Sequence, residues 1–267
     1  MQLDPSVAAT GVRLIARDAV ASTNAEALAL ARVGESGMLW LTGRLQTAGR
    51  GRRGRQWHSP SGNLYASLLL TAPCLPEQAP QFSFVAALAL HDALTELALA
   101  LGARLTLKWP NDLLLDGGKV AGILVEGETL ADGRFAAVIG IGVNCASHPA
   151  DTSYPATDLA EAGIEAAPEA VFECLSRAMS RRLAQWDGGK NFAAIRNDWL
   201  AHTACLGEPI LLRAPADIEG VFAGVDEHGR LLLRTADGAI QTFAAAEVDL
   251  RAKNGSGVPG KPARALA

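Results

Sequence analysis

A long apolar stretch, residues 81–101, limits more than any other feature how this chain can fold. Most of its residues are apolar or good helix formers, and Gly102 follows as a stop signal. A helix that is apolar on most sides must be covered by other elements, so we expect it to pack deep against a sheet. With 267 residues, 49% of them apolar, the chain can bury such a helix in one substantial domain and form a small second one.

Short apolar segments around this helix predict the sheet. Residues 63–70 alternate enough to be a strand with Leu64, Ala66 and Leu68 on one face. Other predicted strands are residues 12–16, 39–44, 105–109, 113–115, 119–128 and 134–143, with helices at 25–31, 168–186 and 192–200. This mixture predicts an α/β (α+β) first domain, residues 1–204.

The composition changes near residue 205. Short strands at 210–212, 220–225, 231–234 and 240–243 are divided by glycine-containing turns, which predicts a small all-β barrel over residues 205–252. Residues 253–267 are rich in Gly, Pro, Ser and Lys, and we expect a disordered tail there.

The positive charge is concentrated in one place. A formal net charge of −4 and a pI near 5.8 argue against a nucleic-acid footprint over the whole surface. Any cationic function must therefore be local. The outstanding cluster consists of Arg50, Arg52, Arg53 and Arg55, with Gly51 and Gly54 between them.

Features that the sequence lacks bear on the cellular compartment and on metal binding. No apolar run reaches the roughly 20 residues of a membrane span, and the first residues do not have a signal-peptide layout, so we expect a cytoplasmic protein. The isolated cysteines, expected to be buried free thiols, are Cys74, Cys145, Cys174 and Cys205. The histidines have no ligand spacing, so no metal site is predicted from them; they are His58, His91, His148, His202 and His228.

The arginine cluster forms a Gly/Arg loop over residues 49–55, followed by Trp57. Alternating glycine lets backbone N–H groups approach an anion, and arginine adds forked donors for carboxylate or phosphate oxygens. The alternatives are a solvated charged turn or an RNA-binding patch. A strand rather than a helix follows, which argues against a Rossmann dinucleotide site.

Two further segments have polar groups at strand ends. Residues 108–112 read Lys-Trp-Pro-Asn-Asp, with Lys119 just beyond the turn at 116–118; they combine a cation, an amide and a carboxylate suited to phosphate or metal handling, or form a surface turn. Residues 140–144 read Gly-Ile-Gly-Val-Asn, where glycines can admit a ligand against the backbone or mark a bend in a core strand.

These segments, in this order and downstream of Ser22, Thr23, Asn24 and Gln46, resemble the catalytic domain of biotin–protein ligases, also called biotin–acetyl-CoA-carboxylase ligases. The resemblance covers most of the chain, including residues 119–126 and the small β-domain. It implies a mixed-sheet catalytic domain similar to class II aminoacyl-tRNA synthetases and lipoate ligases, plus an SH3-like C-terminal domain. Only about twenty residues precede Ser22, so we expect the short form, without an N-terminal DNA-binding domain and without nucleic acid as a partner.

The resemblance implies ATP and biotin as substrates, Mg²⁺, and transfer of biotin to a lysine of a biotin carboxyl carrier protein. The biotin contacts that it implies are Ser22, Thr23, Asn24, Gln46, Arg50, Gly51, Arg52 and Lys119, to which we add backbone around Gly122. The nucleotide contacts that we predict are Arg50, Arg52, Arg55, Trp57, Lys108, Asn111 and Asn144. Trp57 covers either the adenine or the closed loop, or packs in the core.

The catalytic residues that we predict are Arg52, Lys108, Asp112 and Lys119, with the cations neutralising two anions that otherwise repel. Asp112 is our hypothesis for the base that deprotonates the carrier lysine; an electrostatic role is the alternative. Arg251 either reaches the nucleotide from the β-domain or is a surface residue. A lipoate–protein ligase remains the rival enzyme, Glu126 and Glu128 are interpreted as a solvated pair, and both a monomer and a homodimer stay open.

Overall fold

A computed structural model of the chain describes residues 1–152, 154–213 and 217–250. The predicted tail and Arg251 lie outside the described residues. Five α-helices are α1 Pro5–Ala8, α2 Thr23–Arg32, α3 Phe82–Leu97, α4 Pro168–Trp186 and α5 Phe192–Ala201. None of the helices in the described ranges is long and apolar enough to cross a membrane.

Seven strands form the first sheet: β1 Arg13–Val20, β2 Met38–Gln46, β3 Leu64–Thr71, β4 Leu105–Lys108, β5 Asp112–Leu115, β6 Gly118–Thr129 and β7 Phe135–Val143. Their order is β1-β2-β3-β7-β6-β5-β4. β1 and β2 are parallel, and the remaining pairs are antiparallel, so the sheet is mixed as expected. Between β5 and β6, Asp116 and Gly117 have φ of 50° and 84°, the left-handed conformation that a tight two-residue hairpin turn requires.

Both faces of β3 are buried, because helices cover the sheet on two sides. Leu64 and Leu68 pack into the large core formed with α3 and α4, whereas Leu69 packs into a smaller core beneath α2. The expected alternation is therefore present, but it separates two cores rather than core from solvent. Successive side chains of a strand point to opposite faces, so Tyr65 and Ser67 lie on the α2 side.

The long apolar helix is shorter than predicted. Ala98 has an extended backbone (φ −149°, ψ 104°) that ends α3 at Leu97, and a short 3-10 turn follows. This break turns Leu101 into the core, with no exposed surface, and leaves Leu99 85% exposed. Gly102 has ordinary right-handed helical angles, so the predicted glycine stop is wrong; the chain direction changes at Ala98 instead.

The C-terminal region is a five-stranded antiparallel sheet in the order β11-β10-β9-β8-β12. Its strands are β8 Pro209–Arg213, β9 Ile218–Val225, β10 Leu231–Arg234, β11 Ile240–Phe243 and β12 Glu247–Leu250. Four were predicted and β12 was missed. The boundary at residues 204 and 205 stays a prediction.

The turn between β9 and β10 packs closely against the first domain. Trp109, only 2% exposed, donates a hydrogen bond from Nε1 to the Gly229 carbonyl at 3.0 Å. Gly229 also has a positive φ of 81°, and a Cβ there would lie 2.8 Å from the Phe84 ring. This close packing brings the start of β12 to the edge of the first domain's cavity.

Two of the four free cysteines differ from expectation. Cys145 and Cys205 are buried, and burial raises their thiol pKa to about 12 and about 11. Cys74 and Cys174 are half-buried, because each sits at the margin of the core rather than within it.

Candidate active site

One cavity collects nearly all of the residues that the sequence singles out. It lies on the α2 side of the sheet, and its walls come from the start of α2, the end of β2, the Gly/Arg loop, the β4–β5 connection, β6 and β7, with β12 closing one side. The predicted residues that line it are Ser22, Thr23, Asn24, Gln46, Arg50, Gly51, Arg52, Arg55, Trp57, Lys108, Asn111, Asp112, Lys119 and Gly122.

Asn144 is the exception, and its predicted contact with nucleotide is not supported. It is 4% exposed, and its side-chain amide donates to the carbonyls of Thr157 at 3.0 Å and Lys119 at 3.4 Å. Its backbone N–H donates to the Val120 carbonyl. Asn144 therefore fastens the backbone that carries Lys119 and does not line the cavity among the described residues.

One wall of the cavity is neutral and buried. Ser22 is the N-cap of α2 and accepts a hydrogen bond from the Ala25 N–H. The next residues point inward: the Thr23 backbone N–H and hydroxyl both contact Gln46 Oε1, at 2.9 and 3.1 Å. Ser22, Thr23 and Asn24 are each at most 5% exposed. The wall consists of dipoles whose directions are set by their own hydrogen bonds.

The opposite wall is the Gly/Arg loop, which forms a tight hairpin. Arg50 pairs with Gln56, and the Trp57 N–H donates to the Gly49 carbonyl at 2.9 Å. Arg53 and Gly54 have positive φ at the tip. The Gly51 N–H donates to the Arg55 carbonyl at 2.7 Å. The hairpin itself therefore uses this N–H.

Each of three loop guanidinium groups has a polar partner on another element. Arg50 Nη2 donates to both oxygens of Glu126 at 3.1 Å, and Arg52 Nη1 donates to Asn111 Oδ1 at 3.3 Å. Arg55 makes a two-pronged contact with Glu247 on β12, with Nη1 2.9 Å from Oε1. Two of these partners lie on strands, Glu126 on β6 and Glu247 on β12, and Asn111 lies in the β4–β5 connection.

The charges in this wall shift one another's pKa values. Burial, and then the nearby charge of Arg53, lowers the pKa of Arg52 below its usual value. The hydrogen bond from Arg55 is the main cause that holds the pKa of Glu247 below its usual value. Arginine stays protonated at any physiological pH, so both shifts leave the wall cationic.

Lys119 and Asp112 form the floor between the two walls. Lys119 Nζ lies 2.7 Å from Asp112 Oδ1, and the side chains are only 13% and 16% exposed. Asp112 Oδ1 accepts no aligned hydrogen bond within the described ranges, so the contact is mainly electrostatic. The ammonium also lies 5.3 Å from the Trp57 ring centre and 5.1 Å from that of Tyr154, in cation–π range.

The Trp57 ring lies against the sheet. Its position explains why residues 122 and 142 are glycines, for which the sequence suggested other roles. A Cβ at Gly142 would lie 2.6 Å from Trp57 Nε1, and one at Gly122 would lie 3.0 Å from the same ring. Gly140 makes room for Asn24, whose Oδ1 is 2.2 Å from a Cβ built there. These glycines accommodate protein side chains, because the sheet surface is shared with the loop and with α2.

Sequence reasoning missed several residues of the cavity. Arg53 was noted as part of the cluster but given no role, and Tyr154 and Glu247 were not considered. Tyr154 lies in an irregular segment with no periodicity, so no pattern could have identified it. The alternation Glu247-Val-Asp-Leu could have identified β12, with Val248 2% exposed and its neighbours outward.

The two glutamates of β6 are not the solvated pair that we expected. Glu126 contacts Arg50 and Asn24, whereas Glu128 accepts hydrogen bonds from Arg32 Nε at 3.0 and 3.1 Å. They share a strand face, as predicted, but each is held by a different arginine because α2 and the Gly/Arg loop approach that face at different points.

Histidines have carboxylate or ring partners that spacing did not predict. His148 Nδ1 lies 2.7 Å from Asp158 Oδ2 and 3.7 Å from Glu161 Oε2. His91 stacks on His202 with 4.1 Å between ring centres, and burial followed by the charge of His202 lowers the pKa of His91 to about 4. Sequence spacing fails here because both pairs join distant segments.

Comparison with known proteins agrees with this geometry. A model of the Biotin/lipoate A/B protein ligase family matches residues 23–144, and a model of the biotin protein ligase C-terminal domain matches residues 205–251. The chain is similar to a biotin–[acetyl-CoA-carboxylase] ligase of Paracoccus denitrificans, 48% identical over 234 residues that cover 85% of this chain and 96% of that protein.

Two further relatives extend the comparison. A bifunctional ligase/repressor of Escherichia coli is 34% identical over 212 residues, covering 77% of this chain and 64% of that protein. The solved biotin protein ligase of Aquifex aeolicus in complex with biotin and ATP has a TM-score of 0.73 and 30% identity, covering 90% of this chain and 98% of that one. The fold and the cavity define a ligase of the biotin and lipoate type. The chain belongs to the biotin protein ligase family.

Proposed function

We propose that this chain is an ATP-dependent biotin–protein ligase that forms biotinyl-5′-AMP and then transfers the biotin to one lysine of a biotin carboxyl carrier protein. The observation that carries the proposal is the convergence of six cationic side chains on a cavity whose other wall is neutral and polar. The six are Arg50, Arg52, Arg53, Arg55, Lys108 and Lys119.

In the first half-reaction a carboxylate oxygen of biotin attacks the α-phosphorus of ATP. An acyl–phosphate bond forms, the bond to the β-phosphate oxygen breaks, and pyrophosphate leaves. Two anions must approach, and the cations lower the energy of that approach because they are fixed before the substrates arrive. Lys119 is best placed for the reacting oxygens, since it lies in the floor between the two walls.

The neutral wall suits the ureido ring of biotin. That ring offers a carbonyl acceptor and two N–H donors, and a largely dry pocket rewards a match with paired hydrogen bonds. Thr23 and Gln46 present a hydroxyl and an amide there, held by their mutual contacts. Specificity for the ring then follows from the cost of leaving these buried groups unpaired.

Mg²⁺ is part of the proposal as the usual companion of ATP. Mg²⁺ prefers oxygen ligands and is commonly held by one or two carboxylates together with substrate phosphates. The cavity provides a carboxylate of this kind. Asp112 Oδ1 is a buried acceptor without an aligned hydrogen bond among the described residues. Asp112 is the residue that would hold the ion, which would supply charge neutralisation to the phosphates.

The second half-reaction needs a neutral amine, and a lysine with a pKa near 10.4 is mostly protonated at neutral pH. The carrier amine attacks the acyl carbon, an amide bond forms and AMP leaves, while one proton passes from the nitrogen to a base. Asp112 is the carboxylate at the floor of the cavity, and we assign it this proton.

We place the reaction in the cytoplasm. Four free cysteines, two of them half-buried, suit a reducing compartment. ATP and carboxylase carrier domains are also found there.

The test is biotin-dependent exchange of labelled pyrophosphate into ATP with the full chain. We expect exchange with biotin and none with lipoate, whose disulfide-containing ring has no ureido group to pair with the neutral wall. A carrier domain should then be labelled at one lysine. Exchange driven by lipoate but not biotin would make the chain a lipoate ligase, and no exchange with either acid would refute the adenylation step.

A further inference from the structure

A run of hydrogen bonds begins at the glutamate of β6 that faces the Gly/Arg loop. Glu126 accepts two hydrogen bonds from Arg50 Nη2, and its Oε2 accepts a third from Asn24 Nδ2 at 2.8 Å. The Asn24 amide also donates to the Leu124 carbonyl at 3.2 Å. Both hydrogens of that amide are thereby used, so its carbonyl oxygen must point the other way.

The run continues through the sheet to the neutral wall. Ser67 is completely buried and donates to Asn24 Oδ1 at 2.6 Å, and its Oγ lies 2.7 Å from the Thr23 hydroxyl. Because its single hydrogen goes to Asn24, Ser67 can only accept from Thr23. Thr23 gives its hydroxyl hydrogen to Ser67, so its backbone N–H, at 2.9 Å, is the donor that holds Gln46 Oε1.

The far end of the run returns to the loop. Gln46 Nε2 donates to Ser59 Oγ at 3.0 Å, and Ser59 donates to the Trp57 carbonyl at 2.9 Å. The hydrogen bonds therefore connect Arg50, near the start of the Gly/Arg loop, with Trp57, which follows the loop. Most described residues of this run line the cavity. The exceptions are Ser59, Ser67 and Glu126.

We propose that Glu126 is a positioning residue for biotin binding: it fixes the Arg50 guanidinium and, through Asn24 and Ser67, the hydrogen-bond direction of the Thr23 hydroxyl. The inference rests on the proposed function. Stability is not the reason for this contact, because the Arg50 side chain is 45% exposed and such pairs contribute little to folding. What the carboxylate supplies is two acceptor oxygens, which the arginine and the asparagine share.

The chain contains a matched control two residues away. Glu128 lies on the same strand face and also pairs with an arginine, Arg32, yet it has no contact with the run among the described residues. Its side chain is 36% exposed, against 29% for Glu126. Glu126→Gln and Glu128→Gln remove the same charge from the same strand and differ in what the carboxylate holds.

The experiment is calorimetric titration of biotin into the full-length protein and its variants. In Glu126→Gln the side-chain NH₂ must face Arg50 or Asn24, so one donor loses its acceptor, and we expect the Kd for biotin to rise about tenfold. Glu128→Gln should leave the Kd unchanged. Both variants should melt within about 3 °C of wild type, since a few tenths of a kcal/mol moves Tm by little.

A double-mutant cycle separates positioning from a general loss of structure. If Glu126 acts through Arg50, then Glu126→Gln in an Arg50→Met background should weaken biotin binding by clearly less than it does alone. Additive effects, or equal Kd values for Glu126→Gln and Glu128→Gln, would overturn the inference. Wild-type protein that gives no heat with biotin would instead refute the proposed function.

Discussion

The two walls of the cavity are built in opposite ways. The wall that contains Thr23 and Gln46 sits on a helix start and a strand end, with Thr23 buried and Gln46 half-buried, and its hydroxyl and amide groups are already joined to one another. The Gly/Arg loop is a hairpin with its tip in left-handed conformations, and its guanidinium groups are paired with carboxylates or amides of other elements.

The difference reflects what each wall must recognise. A neutral ring is selected by dipoles whose directions cannot change, so that wall is rigid and dry. Anions that arrive and leave during a reaction need cations that can exchange partners, so the loop pairs its arginines with protein carboxylates that a substrate anion can replace. Arg55 illustrates this. Its partner Glu247 belongs to the C-terminal sheet, and the Arg55 side chain is 53% exposed.

The largest effect is expected at Lys119, where the two walls meet. Lys119→Met removes a buried cation from the position nearest the reacting oxygens and should lower the rate of pyrophosphate exchange by about 10³-fold, as for other fixed electrostatic groups. Lys190→Met is the control, because Lys190 is 80% exposed and pairs with Asp187. Comparable losses in the two variants would mean that the floor has no special part in the reaction.

The loop is tested by Arg52→Gly. Arg52 should hold the adenylate after it forms, and losing a forked, charge-assisted donor should shorten the lifetime of the bound adenylate by about 10²-fold. We expect released adenylate to label lysines of bystander proteins, which mass spectrometry would detect. Retention of biotinyl-adenylate as firmly as in wild type would show that Arg52 is misassigned.

Asp112 distinguishes the half-reactions. Asp112→Asn removes the proposed base but keeps the shape and an oxygen that can face the ion, so transfer to the carrier lysine should slow by about 30-fold while pyrophosphate exchange stays within about threefold of wild type. Rapid-quench measurement of each step gives the two rates. Equal loss of both would favour an electrostatic role for Asp112 over proton transfer.

Variants in the two walls should also differ, by a smaller amount, in their free energy of unfolding. Ser67→Ala leaves the buried Asn24 carbonyl oxygen unpaired and should lower the free energy of unfolding by about 2 kcal/mol. Glu247→Gln, on the exposed wall, should cost about 0.5 kcal/mol. Urea titrations at neutral pH give both values, and a reversed order would contradict the assignment of a rigid wall and an exchangeable one.

The same pair of variants has a pH signature. The Arg55 contact holds the pKa of Glu247 below its ordinary 4.5, so its contribution is complete above pH 4.5 and is lost as pH falls through the folded-state pKa. Wild type and Glu247→Gln should therefore converge in acid. Ser67 does not titrate. The difference in unfolding free energy between wild type and Ser67→Ala should therefore persist at both neutral and acidic pH.

Periodicity and composition were sufficient for most of the fold. All strands except β12, helices α4 and α5, and the hairpin at Asp116 and Gly117 followed from local patterns that match the tertiary structure, whereas the shared site of the cationic residues followed from the resemblance to biotin–protein ligases. The end of α3 could not be predicted, because Ala98 is a good helix former that becomes extended only when Leu101 packs into the core.

The finer details of the cavity depend on contacts between distant segments. Residues 24 and 126, or 55 and 247, are far apart in sequence, and nothing in either segment indicates its partner. The glycines of β7 suggested either ligand space or a bend in a core strand, yet Gly140 and Gly142 adjoin Asn24 and Trp57. Sequence reasoning identified which residues form the site but not which protein groups orient them.

The central claim is that one cavity takes the biotin ring on its neutral wall and both anions on its cationic wall. The most direct test is calorimetric titration of biotin into the full chain, alone and with a non-hydrolysable ATP analogue present. We predict one biotin site per chain in both titrations, with tighter binding when the nucleotide analogue shares the cavity. No biotin binding under either condition, or biotin binding that survives replacement of both Thr23 and Gln46 by alanine, would contradict the account.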